Sequence, residues 1–280
     1  MKKKKIVDLT IGFPVFNEEK LINKALKGIY SQTCQNFNLY ISDNASSDNT
    51  YKICKSWQKK KKNIKIFKQN KTMNINSNFY FIYSKSKTKY FMWMAADDIR
   101  SKNYIRDNLN FLKKNPSFIS SSSSSRIEYD KNKNLRTVNF KIDGKTYERY
   151  YLFLVNCFSS HSLFYSVFKK VDISNSKKYL NYMAWDWIVN LILLKHGKFN
   201  RIETGYLYSA YGGTSNEKKY IYSSKNNFFD KLFPFFRFSK AYLNFFFKSK
   251  PSLNKLIRSI LILSVINIRF LKRYIKLVLN

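Results

Sequence analysis

Glycine, cysteine and acidic side chains are all scarce in this chain of 280 residues. It contains 7 Gly, 3 Cys and 17 Asp or Glu, against 52 Lys or Arg. There is neither a G-x-G-x-x-G sequence nor a Walker sequence, so a glycine-rich phosphate-binding loop is not expected. Any bound phosphate would have to be held by a metal ion or by side chains.

The cysteines do not form a recognisable site. Cys34, Cys54 and Cys157 are scattered, contain no C-x-x-C pair and have no metal-ligand spacing with His161 or His196. An odd, dispersed set of this kind is typical of reduced thiols in a cytosolic protein, where most serve as small buried apolar side chains.

Long hydrophobic runs are missing as well. The lysines at positions 2–5 are not followed by an apolar segment, so no signal peptide is expected. In the C-terminal part, the longest strictly apolar stretch is Ile260–Leu263, which is far too short to span a bilayer.

Positive charge dominates what is present. The formal net charge is +35 and 18% of the residues are aromatic. Such a charge favours an anionic partner, and nucleic acid, anionic lipid and phosphorylated substrates all remain possible at this level.

The first half of the chain alternates between strand and helix patterns. This order predicts an α/β fold with a largely parallel sheet covered on both faces. Ser46 and Ser47 are candidate N-caps of the second helix. The predicted strands are 6–13, 38–42, 64–68 and 90–96, and the predicted helices are 18–31, 46–60, 76–84 and 102–114.

The second half is less regular. The patterns there predict a serine-rich strand at 118–127, a helix at 145–156, a strand at 161–168 and a helix at 186–196.

Two adjacent carboxylates follow the apolar run 90–96. Asp97 and Asp98 are expected just beyond the C-terminal end of that strand, which is where ligands bind in open α/β sheets. A carboxylate pair suits a hard divalent cation, which commonly accompanies phosphate. The alternative is a solvated turn before a helix with an acidic first turn.

Other carboxylates share this placement. Glu18 follows the first strand and Asp43 ends the second, so in a parallel sheet both are expected at the edge that carries Asp97. Each alone could be a solvated loop charge, but their common position predicts a shared site.

Two segments resemble glycosyltransferase family 2. Residues 10–18 resemble the opening motif of that family and residues 40–50 its second motif. Asn70, Asn78 and Phe79 resemble an Asn-containing stretch before the fourth strand. The pair Asp97-Asp98 falls at the position of the family's metal site. The resemblance covers residues 6–115 well and 116–215 loosely.

The resemblance implies a nucleotide-binding α/β domain of the GT-A type and an inverting transferase that uses a nucleotide-activated sugar. It implies that Pro14, Phe16 and Glu18 line the nucleotide pocket and that Asp43 binds the base. Nucleotide contacts are likewise implied for Asn78 and Asp97. Asp97 and Asp98 would serve the ribose and a Mn²⁺ or Mg²⁺ ion on the diphosphate.

Inversion requires a base that takes the proton from the acceptor hydroxyl. The family supplies a carboxylate at the start of a late helix, and Asp186 matches that position, with Glu203 and Asp172 as weaker candidates. An acidic residue in the first turn of a helix also has a purely structural interpretation. The chain departs from the family pattern at Ala95, where an Asp is usual.

The C-terminal segment differs in character. Residues 231–280 contain eleven Lys or Arg and no Asp or Glu, and ten aromatic residues lie within 228–247. Residues 253–279 have an amphipathic helical pattern, which predicts either a segment lying on an anionic membrane surface or a helical cap on the catalytic domain.

These observations predict a catalytic domain at 1–227 and a basic, aromatic, helical tail at 228–280. The predicted function is transfer of a sugar from a nucleotide sugar to a saccharide or lipid-linked acceptor, in cell-surface polysaccharide biosynthesis. The enzyme would be cytoplasmic and peripheral to the inner face of the membrane. The alternatives are a nucleic-acid-binding protein and a catalytically inactive member of the same fold.

Overall fold

A computed structural model describes residues 7–128, 134–209, 230 and 232–279. Contacts divide the chain into two compact units. Unit 1 comprises the described parts of Met1–Phe140, Tyr165–Val171 and Asn200–Tyr211, and unit 2 those of Lys141–Phe164, Asp172–Phe199 and Gly212–Asn280. The predicted domain boundary after residue 227 lies outside the described residues.

Unit 1 contains the central sheet and four helices. The strands are β1 (Leu9–Val15), β2 (Phe37–Asp43), β3 (Ile64–Lys68), β4 (Tyr90–Trp93), β5 (Asp98–Arg100), β6 (Phe118–Glu128), β7 (Leu135–Val138), β8 (Val167–Lys169) and β9 (Lys198–Ser209, whose first two residues belong to unit 2). The helices are α1 (Ile22–Tyr30), α2 (Thr50–Lys60), α3 (Ile75–Lys85) and α4 (Tyr104–Lys114).

The sheet order among the described strands is β3-β2-β1-β4-β8-β6-β9-β5, with β7 paired to β6. The β3-β2-β1-β4 half is parallel, whereas β8 pairs antiparallel with β4 and with β6. This arrangement confirms the predicted α/β class and places the carboxyl ends of four parallel strands at one edge.

Strand β1 continues through Pro14, where the sequence predicted its end. The Val15 carbonyl accepts from the Asn44 amide on the β2 side, and the Gly12 carbonyl accepts from the Met94 amide on the β4 side. Since hydrogen-bonding direction alternates along a strand, position 14 faces the β4 side. Pairing with β4 ends at Gly12 and Trp93, so the missing N–H of proline is tolerated there.

Unit 2 is mainly helical. It contains α5 (Thr146–Val155), α6 (His161–Phe164), α7 (Trp185–His196), α8 (Phe236–Lys248) and α9 (Leu253–Leu279), with 3₁₀ turns at Cys157–Ser159 and Ser174–Tyr179. The strand predicted at 161–168 is wrong in its first half, because residues 161–164 are helical and only β8 is extended. The helical C-terminal segment is confirmed.

Helices α8 and α9 pack onto the rest of unit 2. Trp187 of α7 lies with its ring centroid 5.1 Å from those of Phe158, Phe235 and Phe238, and Phe235 contacts Phe270 of α9 at 4.7 Å. This aromatic cluster buries Trp187, so its side chain belongs to the core of unit 2. No helix in the described part of the chain is both long and apolar enough to cross a membrane.

Candidate active site at the carboxyl ends of the parallel strands

The loops that follow β1 and β2 are tied together by hydrogen bonds. The Asn17 amide donates to Ser46 Oγ at 3.0 Å, and its side-chain Oδ1 accepts from the Ser47 amide at 2.9 Å. The Glu18 amide donates to Thr50 Oγ1 at 2.7 Å. Ser46 and Ser47 therefore bond to the loop after β1. The sequence had predicted that they cap α2, and that prediction is wrong.

Both loops contain a residue in the left-handed region of backbone space. Asn17 has φ 54° and Ala45 has φ 59°. A side chain at positive φ costs about 1 kcal/mol or more, least for Asn, whose amide can hydrogen-bond locally. The cross-loop bonds of Asn17 offset this cost and hold the two motif segments in one arrangement.

Asp43 lies at the end of β2 and is fully buried. Its Oδ2 accepts a long hydrogen bond of 3.4 Å from the Ser46 amide. Its Oδ1 is buried without a hydrogen-bond partner among the described residues. A buried carboxylate oxygen is costly unless it receives a hydrogen bond, so this position suits a ligand that donates one.

Glu18 and Asp97 are close enough to interact electrostatically. Burial raises the pKa of Glu18 to about 7, and the carboxylates of Asp97 and then Asp48 add to this rise. Burial also opposes ionisation of Asp48, but hydrogen bonds from Thr50 and the Glu19 amide outweigh it and hold the pKa of Asp48 below its usual value. The predicted meeting of Glu18 and Asp97 at one edge is present in the structure.

Asp98 faces a different environment from Asp97. It begins β5, which pairs antiparallel with β9, and its side chain is 1% exposed. Its Oδ1 accepts from Ser209 Oγ at 3.0 Å, and its Oδ2 lies 3.7 Å from an Arg100 nitrogen. Asp97, one residue earlier, is only partly buried. The two predicted metal ligands thus differ in exposure, and metal binding by either of them stays a prediction.

Arg100 organises the segment between β4 and β5. Besides facing Asp98, its guanidinium donates to the carbonyls of Trp93 at 3.1 Å and Tyr165 at 3.4 Å, and it contacts the sulfur of Met94. Sequence reasoning missed this residue, because an arginine two positions after an acidic pair has no distinctive local pattern.

Two predicted nucleotide-pocket residues at the start of this edge differ in exposure. Pro14 is buried within β1, and Phe16 is 45% exposed in the loop that follows. An exposed aromatic face beside Glu18 in the chain is available to a ligand. Their contact with a nucleotide stays a prediction.

Asn78 of α3 is buried and bonded to the end of β2. Its Oδ1 accepts from Ser42 Oγ at 2.6 Å, and its Nδ2 donates to the Ser42 carbonyl at 3.2 Å. These bonds fix the strand immediately before Asp43. They give Asn78 a positioning role, and direct contact with a nucleotide stays a prediction.

Metal binding at this edge would need oxygen ligands from a substrate. Among the residues that the structure describes, no group of three or more His, Cys, Asp or Glu is arranged to hold a metal ion by itself. Mg²⁺ is commonly bound by one or two carboxylates together with substrate phosphates. The partly buried Asp97 carboxylate, close to Glu18, fits that kind of site.

Asp186 lies in unit 2, in the first turn of α7. Burial raises the pKa of Asp186 to about 6, against opposing hydrogen bonds from backbone amides in that turn. Burial likewise raises the pKa of Cys157 to about 12, and the nearby Asp186 carboxylate adds to it. A carboxylate with this pKa is ionised at neutral pH yet more basic than a solvated one, as a general base requires.

The segment before Asp186 is braced by α8. Ala184 has φ 63° at the start of α7. Arg237 of α8 forms two hydrogen bonds with Asp230, at 2.7 and 2.9 Å, and its guanidinium lies 4.0 Å from the Tyr182 ring centroid. The C-terminal segment is therefore part of the structure that supports the candidate base.

The two weaker base candidates have simpler surroundings. Asp172 accepts from the amide and the hydroxyl of Ser174, both at 2.8 Å, in an exposed turn. Glu203 is exposed on β9. Both side chains are exposed, whereas Asp186 is partly buried.

Comparison with known proteins agrees with this geometry. The sequence profile described as Glycosyl transferase family 2 matches residues 10–171, which is more than half of the chain. The chain belongs to glycosyl transferase family 2. The match includes both tied loops and Asp97. No curated protein sequence is significantly similar to this family member.

Solved structures show the same GT-A fold at low sequence identity. The S. aureus TarS 1–349 fragment in complex with UDP-GlcNAc has a TM-score of 0.55 and 13% identity, over 90% of this chain and 79% of that one. The mannosyltransferase PcManGT from Pyrobaculum calidifontis, in complex with GDP-Man and Mn²⁺, has a TM-score of 0.57 and 12% identity, over 96% and 73%. This chain covers 48% of the longer TarS structure, about half of its length.

Proposed function

We propose that this family 2 glycosyltransferase moves a sugar from a nucleoside diphosphate donor to a hydroxyl group, with inversion at the anomeric carbon. The observation that carries the proposal is Asp43, a fully buried carboxylate at the end of a parallel strand with one oxygen lacking a partner among the described residues. The N–H groups of a nucleotide base are suitable donors to it. That both neighbours are complexes with nucleotide sugars supports this choice of donor.

In the proposed site, Asp43 accepts from the base, while Pro14 and Phe16 border the nucleotide. Asp97 would hold Mn²⁺ or Mg²⁺ together with the diphosphate. When bound, the cation would neutralise the charge that develops on the leaving diphosphate. Glu18, coupled to Asp97, ionises more readily once positive charge is close to it.

Asp186 is the proposed base. Its carboxylate takes the proton from the acceptor hydroxyl as the acceptor oxygen bonds to the anomeric carbon. The bond between that carbon and the diphosphate oxygen breaks at the same time, and the nucleoside diphosphate leaves. Attack from the side opposite the leaving group inverts the configuration.

The proposed acceptor is a saccharide or a lipid-linked saccharide of cell-surface polysaccharide biosynthesis. A lipid-linked acceptor would require a cytoplasmic enzyme that works at the inner membrane surface. The strongly basic C-terminal segment supports this localisation, because anionic lipid headgroups attract clusters of Lys and Arg.

Nucleotide binding tests the proposal most directly. UDP and GDP, each with and without Mn²⁺ or Mg²⁺, are titrated by calorimetry against the wild type and Asp43→Ala. The wild type should bind at least one of them, and loss of a charge-assisted hydrogen bond should weaken that binding roughly 10- to 100-fold. Asp172→Ala, in an exposed turn, is the matched control. Failure of the wild type to bind either nucleotide would overturn the proposal.

Ala95 gives one specific reason to consider an inactive protein of the same fold, since the family usually has Asp there. Hydrolysis assays with UDP-GlcNAc and GDP-mannose distinguish an active transferase from an inactive protein of the same fold. Donor binding without hydrolysis or transfer to any saccharide tested would favour the inactive alternative.

A further inference from the structure

Helix α9 has two distinct apolar faces, one of which packs on the rest of unit 2. Ser259, Leu263 and Ile266 are buried, and Phe270 contacts Phe235. Ser259 Oγ lies 3.2 Å from Tyr242 Oη of α8. The spacing of four, three and four residues places these positions along one side of the helix.

The second apolar face is exposed along nearly the whole helix. Its residues recur at separations of three, four or seven residues, with one adjacent pair, and are offset by about half a turn from the packed face. They are Leu253 (72% exposed), Ile257 (51%), Ile260 (44%), Leu261 (60%), Val265 (63%), Ile268 (49%) and Ile275 (45%). We call this set the outer stripe. At a rise of about 1.5 Å per residue it extends for roughly 33 Å.

Exposed positive charges border the outer stripe. Arg258, Arg269 and Lys272 are all exposed, and the helical repeat places them along one flank of the stripe. Lys255, by contrast, lies 3.9 Å from the ring centroid of Tyr151 within unit 2. No acidic residue occurs from 231 to 280 to neutralise this flank.

An apolar stripe of this length on an exposed helix marks an interaction site. Its composition restricts the partner. Leu, Ile and Val side chains fit hydrocarbon chains, whereas a single-stranded nucleic acid would call for aromatic side chains on which bases stack. A second copy of α9 would bring like charges together, so the basic flank favours an anionic surface.

We infer that the outer stripe of α9 docks on an anionic lipid bilayer, with the helix axis parallel to the membrane and the basic flank at the headgroups. The stripe enters the boundary between headgroups and acyl chains, and the packed face keeps α9 attached to unit 2. The inference extends the proposed function, because a lipid-linked acceptor would be presented at the same surface.

Vesicle binding by variants of the full chain tests the inference. The variants are a triple substitution of the stripe (Ile257→Gln, Leu261→Gln, Val265→Gln) and one of the flank (Arg258→Gln, Arg269→Gln, Lys272→Gln). The probe is vesicles of phosphatidylglycerol and phosphatidylcholine in equal amounts. The stripe variant should partition at least about 100-fold less than the wild type. The partitioning of the flank variant should fall roughly fivefold for each charge removed.

A charge-matched control distinguishes the effect of the flank on vesicle binding from the effect of the protein's net charge. Lys52→Gln, Lys59→Gln and Lys60→Gln remove three exposed charges from α2 and should leave partitioning nearly unchanged. Salt should weaken wild-type binding, and vesicles of phosphatidylcholine alone should bind it much less.

Equal partitioning of the stripe variant and the wild type would overturn the inference, as would equal wild-type binding to neutral and anionic vesicles. Concentration-dependent dimerisation that the stripe variant abolishes, without vesicle binding, would assign the stripe to a second copy instead. Nucleotide binding in solution is measured in parallel. A wild type that binds UDP or GDP but not vesicles would refute the docking surface alone, and the opposite result would refute the transferase alone.

Discussion

The carboxylate of Asp98 lies 3.7 Å from the guanidinium of Arg100, and neither side chain is more than 2% exposed. This buried pair joins β5 to the end of β4, through the bond from Arg100 to the Trp93 carbonyl. The two adjacent carboxylates therefore have different roles, because Asp98 stabilises the segment that carries Asp97.

Substitutions of the two aspartates should therefore have different effects. Asp98→Asn leaves Arg100 as a buried unpaired charge, which should lower the free energy of unfolding by about 3 kcal/mol. Asp97→Asn should leave stability nearly unchanged and remove the dependence of nucleotide binding on Mn²⁺. Urea unfolding and calorimetry measure these effects. Loss of metal dependence in a stable Asp98→Asn protein would assign the ligand to Asp98.

The raised pKa of Glu18 predicts a pH dependence of stability. Folded Glu18 has a pKa of about 7, above its usual value of 4.5, because of burial and then Asp97 and Asp48. Below pH 4.5 Glu18 is neutral in both the folded and unfolded states, and no penalty exists. As pH rises to about 7 the unfolded chain ionises first, so folding loses stability, and above that the loss is constant.

Glu18→Gln removes this penalty. The melting temperature of the variant relative to the wild type should therefore rise between pH 4.5 and 7 and then level off. Mn²⁺ with UDP or GDP should reduce the difference at pH 8, by placing positive charge near the ionised carboxylate. Glu203→Gln, on the exposed part of β9, serves as the charge-matched control. A pH-independent difference for Glu18→Gln would contradict the raised pKa of Glu18.

Asn17 allows side-chain bonding and backbone strain to be measured separately. Asn17→Gly and Asn17→Ala both remove the bond from the Ser47 amide to Asn17 Oδ1. At φ 54° only alanine adds steric strain, so the Asn17→Ala protein should be less stable than the Asn17→Gly protein by about 1 kcal/mol. Chemical denaturation gives both values. Equal stability of the two variants would show that the loop relaxes to another conformation.

Asp186 should act in the chemical step alone. Asp186→Asn is expected to lower kcat about 10²- to 10⁴-fold while leaving the donor KM within about twofold. Because burial raises the pKa of Asp186 to about 6, wild-type kcat should rise from pH 5 to 7 as the carboxyl group ionises. The variant should lack this rise.

The control for Asp186 is Asp172→Asn, which changes an aspartate in an exposed turn of the same unit. It should keep both kcat and the pH profile. Wild-type kcat in Asp186→Asn would exclude Asp186 as the base, whereas a fall in donor affinity together with melting temperature would indicate a structural role for α7.

The sequence by itself determined the fold class and the location of the candidate site. Alternating strand and helix periods dictate a parallel arrangement, and carboxylates placed just after strands must reach the carboxyl edge of such a sheet. Glu18 and Asp43 were predictable for this reason. Asp186, in the first turn of α7, was expected only from the resemblance to the family, whose motifs are short and local.

Only the tertiary structure decided which of the two adjacent carboxylates is buried and which is partly exposed. Asp98 is buried because it packs against Arg100 and accepts a hydrogen bond from Ser209, which is 111 residues away in the chain. The same holds for the outer side of α9. The sequence shows an amphipathic helix, but which apolar face packs depends on Phe235, which precedes α8, and on Tyr242 of α8. Pairings over such distances follow from packing, which no local pattern encodes.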